Sequence, residues 1–235
     1  MNIFYCPAAV VNEYCELDES ESRHIATVLR KREGVELQVF NGKGNLFDAH
    51  IQTIGKREVT VHILRLVQTE ESSLPKLHIA IAAPKNIERL EWFAEKVTEI
   101  GVSEITPLIC KHSERKDLRA DRIEKILLGA SKQSIKLNIP KLNPMVKFEE
   151  FVSIQQKETQ KFIAYCDEKA LHLKDAYTGG HDAVIMIGPE GDFTKQEVLL
   201  AEQHGFKTVS LGKSRLRLET AGIFAASIFN LANES

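Results

Sequence analysis

Two short stretches near the C-terminus combine glycine, charge and apolar residues in a way that suits ligand binding through main-chain atoms. The first is Ile187-Gly188-Pro189-Glu190-Gly191-Asp192-Phe193, which closes the apolar run Ala183-Val184-Ile185-Met186-Ile187. Pro189 suits the second position of a type I turn and Gly191 the fourth. Gly188 lets a ligand approach the main chain closely. An ordinary strand-to-helix turn uses the same residue types. Neither G-x-G-x-x-G nor G-x-x-x-x-G-K-[ST] is present, so this is no nucleotide-phosphate fingerprint. Glu190 would repel an anion; it suits a ligand carrying a sulfonium or ammonium charge. The second stretch is Leu211-Gly212-Lys213-Ser214-Arg215-Leu216-Arg217-Leu218-Glu219-Thr220-Ala221. Arg215 and Arg217 alternate with Leu216 and Leu218. That pattern offers apolar side chains to an aromatic ring and guanidinium groups to an anionic or carbonyl-rich partner. An exposed loop with solvated arginines has the same composition.

Other charged segments are less specific. Lys85, Arg89, Glu95, Lys96 and Glu99 read mostly as a solvated helix face with i,i+4 pairs. Lys111-His112-Ser113-Glu114-Arg115-Lys116 follows a strand, where cationic groups can hold a phosphate backbone. Cys6, Cys15, Cys110 and Cys166 form no C-x-x-C pair and match no zinc spacing; four separate reduced thiols are expected. The eight histidines are scattered without an H-x-x-x-H pattern. No metal is expected.

The elements that carry these stretches follow from periodicity. Residues 1–68 read as mainly β. Leu37 and Val39, then Val59, Val61 and Ile63, alternate with polar neighbours, and Asn41-Gly42-Lys43-Gly44 marks a hairpin turn. A short helix capped by Ser20 or Ser22 interrupts them, with Ile25, Val28 and Leu29 as its apolar face. Residues 69–75, polar and ending in Pro75, form the expected linker. The remainder, 76–235, alternates strands with helices. Strands are expected at Leu77–Ile81, Ile105–Cys110, Phe162–Cys166, Ala183–Ile187 and Val209–Leu211. Helices are expected from Ile87 to a stop at Gly101, from Arg119 to Ile135, over Phe148–Val152, from a Thr194–Glu197 capping box to Gly205, and from Glu219 or Thr220 onwards. That alternation predicts an α/β domain with a parallel sheet and right-handed crossovers. Ligands bind such sheets at the carboxyl ends of the strands, where both glycine stretches fall.

With 235 residues, 43% of them apolar, and a formal charge of −2, the chain can build two modest cores and is no polycation. Nucleic-acid contact must come from local patches. No run is long enough to span a membrane. No signal-peptide pattern opens the sequence, so a cytoplasmic location is expected.

One family shares these features in order: His24, Val28, Leu29 and Arg30; Lys85 and Arg89; Lys96 with Glu99-Ile100-Gly101-Val102; Ser113-Glu114-Arg115; Gln133-Ser134; Ile187-Gly188-Pro189-Glu190-Gly191; and Leu216-Arg217-Leu218-Glu219-Thr220-Ala221. From about residue 3 to 232 the chain resembles the ribosomal RNA small-subunit methyltransferase E family of the SPOUT superfamily. The resemblance implies a PUA-like β-barrel that helps bind RNA, then a parallel α/β domain whose last segment forms a trefoil knot. It implies a homodimer that uses S-adenosylmethionine to methylate N3 of one uridine in 16S ribosomal RNA within the small subunit. By position, Ile187, Gly188, Pro189, Glu190 and Gly191 would form one wall of the cofactor site. Leu211, Gly212, Leu216 and Leu218 would form another, with Thr220 and Ala221 beneath the adenosine. Arg217 is the candidate beside the reacting base, and Arg30, Arg89 and Arg115 are candidate RNA contacts.

Three positions depart from the family pattern. Asp192 stands where a second glycine is usual, Leu218 where threonine is frequent, and Lys136 where arginine follows Gln133-Ser134. Lysine lacks the bidentate fork of arginine. In the implied reaction the uracil N3 loses a proton, and negative charge spreads onto O2 and O4. A guanidinium aimed at those oxygens stabilises it, a role that suits Arg217. Glu219 serves either as a base or as a structural cap. Two other readings are a ribose 2′-oxygen methyltransferase and a non-catalytic RNA-binding protein. The N-terminal β domain and the Lys85–Val102 pattern disfavour the first; the intact glycine loops disfavour the second. A nicotinamide enzyme lacks its glycine fingerprint and ribose-binding acid.

Overall fold

Alternating apolar residues build the first of two sheets in the computed structural model, which describes residues 3–70, 75–154, 159–167 and 169–234. Strands β1 (Ile3–Tyr5), β2 (Tyr14–Glu16), β3 (Glu36–Phe40), β4 (Asn45–Ile54) and β5 (Val59–Thr69) form a mixed sheet in the order β1-β3-β4-β5-β2. Only the β1–β3 pairing is parallel. Inward residues at every second position, Leu37 and Val39, then Phe47, Ala49 and Ile51, then Val59, Val61 and Ile63, make the core with Phe4, Leu17 and Ile25. The β3–β4 turn falls on Asn41–Gly44 as expected. The Asn41 carboxamide oxygen accepts from the Lys43 and Asn45 amides at 2.9 and 3.2 Å, while Gly42 and Gly44 take φ of 73° and 92°.

Cys6 and Cys15 are joined by a disulfide, which corrects the expectation of four separate thiols. Cys6 follows β1 and Cys15 lies in β2, the two edges of the sheet. The sheet curls until its edges meet, and the bridge closes them where no ladder does among the described residues. A separation of nine residues carries no hint of this.

Helix α1 (Glu19–Arg23) is capped by Asp18, whose side chain accepts from the Glu21 amide at 2.8 Å, and not by Ser20 or Ser22. Ser22 is buried instead, bonded to Leu17 O and to the Val59 amide. The helix runs into a π-helical turn, His24–Val28. That wider turn shifts the apolar register. Ile25 stays in the core, but Val28 is 65% exposed.

The second sheet has eight parallel strands: β6 (Leu77–Ala82), β7 (Glu104–Ile109), β8 (Lys141–Leu142), β9 (Val146–Lys147), β10 (Gln160–Ala164), β11 (Leu171–His172), β12 (Ala183–Ile187) and β13 (Lys207–Ser210). Their order is β11-β13-β10-β12-β6-β7-β8, with β9 also on β7. The central strands β6 and β12 are buried along their whole length, which is why they read as solid apolar runs. The two-residue strands β8, β9 and β11 are too short to leave a period in the sequence.

Helices α2 (Ile87–Ile100), α3 (Ala120–Gln133), α4 (Phe148–Ser153), α5 (Leu173–Ala176), α6 (Lys195–Gln203) and α7 (Leu218–Leu231) complete the unit. Asn86 caps α2, which stops at Gly101 with φ 123°. The Thr194–Glu197 capping box starts α6 as expected. Helix α3 ends before Ile135, which turns outward with φ 56°. Helix α7 starts at Leu218, with Arg217 as N-cap, earlier than the expected Glu219 or Thr220.

By compactness the chain divides into Met1–Ser72 with Ser131–Ile139, and Ser73–Ala130 with Pro140–Ser235. Within the expected 76–235 domain, Ser131–Ile139 packs with the first unit. The Leu137 carbonyl accepts from the Gly44 amide, the Ile139 amide donates to Gly42 O, and Lys132 Nζ lies 2.5 Å from Glu21 Oε1. These contacts hold Ser131–Ile139 in the first unit. Of the expected linker 69–75, Thr69 ends β5, and 71–74 lie outside the described residues.

Candidate active site

Because every strand of the second sheet runs the same way, the loops leaving β13, β10, β12, β6 and β7 emerge along one edge. The two glycine loops leave β12 and β13 on either side of β10.

The first loop is internally braced. Ile187 is buried, in register with Ala164 and Ile81. The hydrogen-bonded turn runs from Pro189 O to the Asp192 amide at 2.9 Å, one residue later than expected. A Cβ on Gly188 would lie 3.1 Å from the Phe193 ring, and one on Gly191 would lie 3.3 Å from His112. In those directions the missing side chains admit protein neighbours, not the ligand expected at Gly188. Asp192 holds φ 61°, a left-handed conformation that aspartate tolerates better than most residues. Its carboxylate accepts from the Phe193 amide at 2.8 Å and from the Cys166 amide at 3.3 Å, while its carbonyl meets His112 Nδ1 at 3.1 Å. The residue standing in for a family glycine thus clasps the ends of β10 and β7 to the loop. Burial, with the Asp192 charge beside it, pushes the Cys166 thiol up.

Glu190 is already paired: Arg89 Nη1 on α2 lies 3.1 Å from its Oε1. Arg115 donates to Pro84 O at 3.2 Å and to Lys85 O at 3.0 Å, and Lys85 pairs with Glu114 at 2.9 Å. The loop after β7 is therefore tied to the loop after β6. Glu197 adds a further tie, accepting from the Lys111 amide at 2.8 Å. Burial, reinforced by Glu197, drives the Cys110 thiol far up, so it stays protonated. Arg89 and Arg115 were expected on RNA; the structure gives both a prior task in shaping this edge. Arg30 lies in the first unit, exposed, with φ 49°. His112, Asp192 and Glu197 escaped the sequence reading as site residues because nothing in their spacing marks them.

The second loop is open. Gly212 takes φ 111°, its amide donating to Ser210 Oγ at 3.1 Å. Leu211 and Leu216 are half-buried; Lys213, Ser214 and Arg215 are exposed. The Arg217 side chain is exposed, with no ion pair among the described residues. Its carbonyl accepts from Ala221 to start α7. Leu218 is buried, Thr220 exposed and Ala221 half-buried. Glu219 is only 7% exposed, and its Oε2 has no hydrogen-bond partner among the described residues. Gly222 lets α7 lie tightly on α2, since a Cβ there would overlap the Phe93 ring.

A model of the RNA methyltransferase domain matches residues 70–230, and one of the RNA methyltransferase PUA domain matches residues 17–64. The ribosomal RNA small subunit methyltransferase E of Mesomycoplasma hyopneumoniae is 31% identical over 69% of this chain and 72% of that protein. The chain belongs to the ribosomal RNA small-subunit methyltransferase E family. Solved structures agree. One of that methyltransferase from Neisseria gonorrhoeae, bound to S-adenosylmethionine, is 30% identical with a TM-score of 0.84, covering 96% of this chain and 95% of its own. A "probable rRNA-methyltransferase" from Porphyromonas gingivalis is 36% identical with a TM-score of 0.92, covering 99% and 98%. Family membership makes the first unit PUA-like and the second a methyltransferase domain. Among the described residues, no helix is long and apolar enough to cross a membrane, and no group of three or more metal-ligating side chains is gathered.

Proposed function

We propose that this chain transfers a methyl group from S-adenosylmethionine to N3 of a uridine in 16S ribosomal RNA. The observation that supports this most is the pair of glycine loops flanking β10 on the carboxyl edge, in a chain that matches the family model over 70–230. The residues suit such a donor. The second loop offers half-buried Leu211 and Leu216 and a left-handed Gly212. Apolar side chains suit an adenine ring, and open main chain suits its polar edge.

In this reading Ile187, Gly188, Pro189, Glu190 and Gly191 form one wall, held rigid by Asp192 and by the Arg89–Glu190 pair. Leu211, Gly212, Leu216, Leu218, Thr220 and Ala221 form the other. S-adenosylmethionine, when bound, supplies a methyl group activated by its sulfonium. Arg217, exposed on the N-cap of α7, faces the uracil and stabilises charge developing on O2 and O4. Arg30, with the guanidinium donors that Arg89 and Arg115 retain, meets phosphates. The last strands and α7 form the knot, two chains pair through the apolar surface of α7, and the protein works in the cytoplasm on the small subunit.

The test is nucleoside mass spectrometry of 16S RNA treated with the purified protein and isotopically labelled donor. Labelled 3-methyluridine is expected. Label on a ribose 2′-oxygen, or none, would overturn the assignment.

A further inference from the structure

Carboxylates crowd the carboxyl edge of the second sheet, and most have partners. Glu190 is matched by Arg89 and Glu114 by Lys85. Asp192 accepts from two amides. Both oxygens of Glu197 are taken, Oε1 by the Lys111 amide and Oε2 by the Thr194 amide and hydroxyl. Glu219 differs. It is more than nine-tenths buried, yet its Oε2 has no hydrogen-bond partner among the described residues. Leaving such an oxygen buried and unbonded is costly, and it leaves Glu219 with an acceptor free for a donor or a proton.

Its position says which ligand. Glu219 is the second residue of α7. Gly222, three residues on and on the same face, lies against Phe93 and against Ile81 near the carboxyl end of β6. Glu219 therefore lies one turn nearer the strand ends, at the start of the helix, where negative charge is favourably placed. Arg217 is the N-cap of the same helix. An exposed cation at the N-cap and a buried, unpaired acceptor in the first turn supply between them the two demands of an imide: charge stabilisation at its carbonyls and removal of its proton.

We propose that Glu219 is the general base that takes the N3 proton of the target uracil. This rests on reading the chain as a uracil-N3 methyltransferase. The N3–H proton moves to Glu219 Oε2. The electron pair left on N3 forms the new bond to the methyl carbon, and the pair of the breaking carbon–sulfur bond stays on sulfur, which leaves as a neutral thioether. Glu219 then yields its proton to solvent.

The test compares the wild-type chain with Glu219→Gln and Glu219→Asp. It reads single-turnover methylation across pH and equilibrium dialysis of S-adenosylhomocysteine. Glu219→Gln should lose about 10²-fold in rate at neutral pH, and the deficit should shrink to under about 10-fold near pH 9, where solvent removes the N3 proton unaided. Glu219→Asp should recover part of the loss. Both variants should bind the analogue within roughly threefold of wild type, a range in which the donor site is intact. A Glu219→Gln rate within roughly threefold of wild type at neutral pH overturns the proposal. So does a deficit that is constant with pH, or one matched by lost analogue binding, which would mean that the carboxylate holds the donor or the fold. If the wild-type chain itself puts no methyl on uracil N3, the reading of its function fails instead.

Discussion

The two ends of the parallel sheet hold buried polar groups on opposite terms. At the amino end, His78 bonds Thr106 Oγ1 at 2.7 Å, Asn143 donates to Thr106 Oγ1 and to Glu104 Oε1, and Lys141 lies 3.3 Å from Glu104. Nothing in that cluster is left over among the described residues. Burial pushes the His78 imidazole below its ordinary range, opposed by the Glu104 carboxylate. At the carboxyl end a non-glycine residue sits at positive φ, a buried carboxylate oxygen is unbonded and an arginine is unpaired. One end is complete as structure; the other leaves groups open, at the edge where we propose that the donor binds.

That contrast predicts a division of mutational effects. The largest should come from Arg217→Ala, which removes charge stabilisation. We expect kcat to fall about 10²- to 10³-fold, with donor affinity and Tm nearly unchanged. Activity within a few-fold of wild type would remove Arg217 from the chemistry. Thr106→Val at the other end should do the reverse. It strands the Asn143 donor and the His78 ring nitrogen and should cost about 1–3 kcal/mol in denaturant unfolding, while kcat in the folded protein holds.

Asp192 sharpens the comparison because it is both strained and bonded. Asp192→Ala loses the clasp and keeps the strain; Asp192→Gly loses the clasp and relieves it. Glycine should therefore be the more stable of the two by about 1 kcal/mol, while both bind the donor several-fold more weakly. If Asp192→Gly binds the donor as wild type does, the clasp contributes nothing to the site.

The smallest effect is a pH slope. The folded-state value of His78 lies below its unfolded value near 6.5, for burial first. Its stabilising contribution is present above that value and fades as pH falls through the depressed one. Unfolding of the wild-type chain should become easier as pH falls below about 6.5, and His78→Gln should flatten the slope. An unchanged slope in that variant would place the effect elsewhere.

Much of this was legible from residues alone. The hairpin at Asn41–Gly44, the strands Leu77–Ala82 and Ala183–Ile187, and the Thr194–Glu197 capping box depend on local chemistry, and local chemistry is what a sequence displays. The Cys6–Cys15 bridge, the return of Ser131–Ile139 to the first unit and the partners of Glu190 and Asp192 depend on which distant segments meet. Glu190 shows the limit best. As a loop acid it suggested a cationic ligand, but its charge is met by Arg89 on α2, one hundred and one residues away in sequence. Glu219, ambiguous between cap and base, holds a buried oxygen with no hydrogen-bond partner among the described residues.

The most direct test of the ligand-completed edge is equilibrium dialysis of the full chain against labelled S-adenosylmethionine, beside Gly212→Val and Thr106→Val. We predict saturable uptake near one donor per chain, at least about 10-fold weaker in Gly212→Val, whose φ of 111° a β-branched residue cannot hold, and unchanged in Thr106→Val. No uptake by folded wild-type protein at millimolar donor, or equal uptake by Gly212→Val, would contradict it.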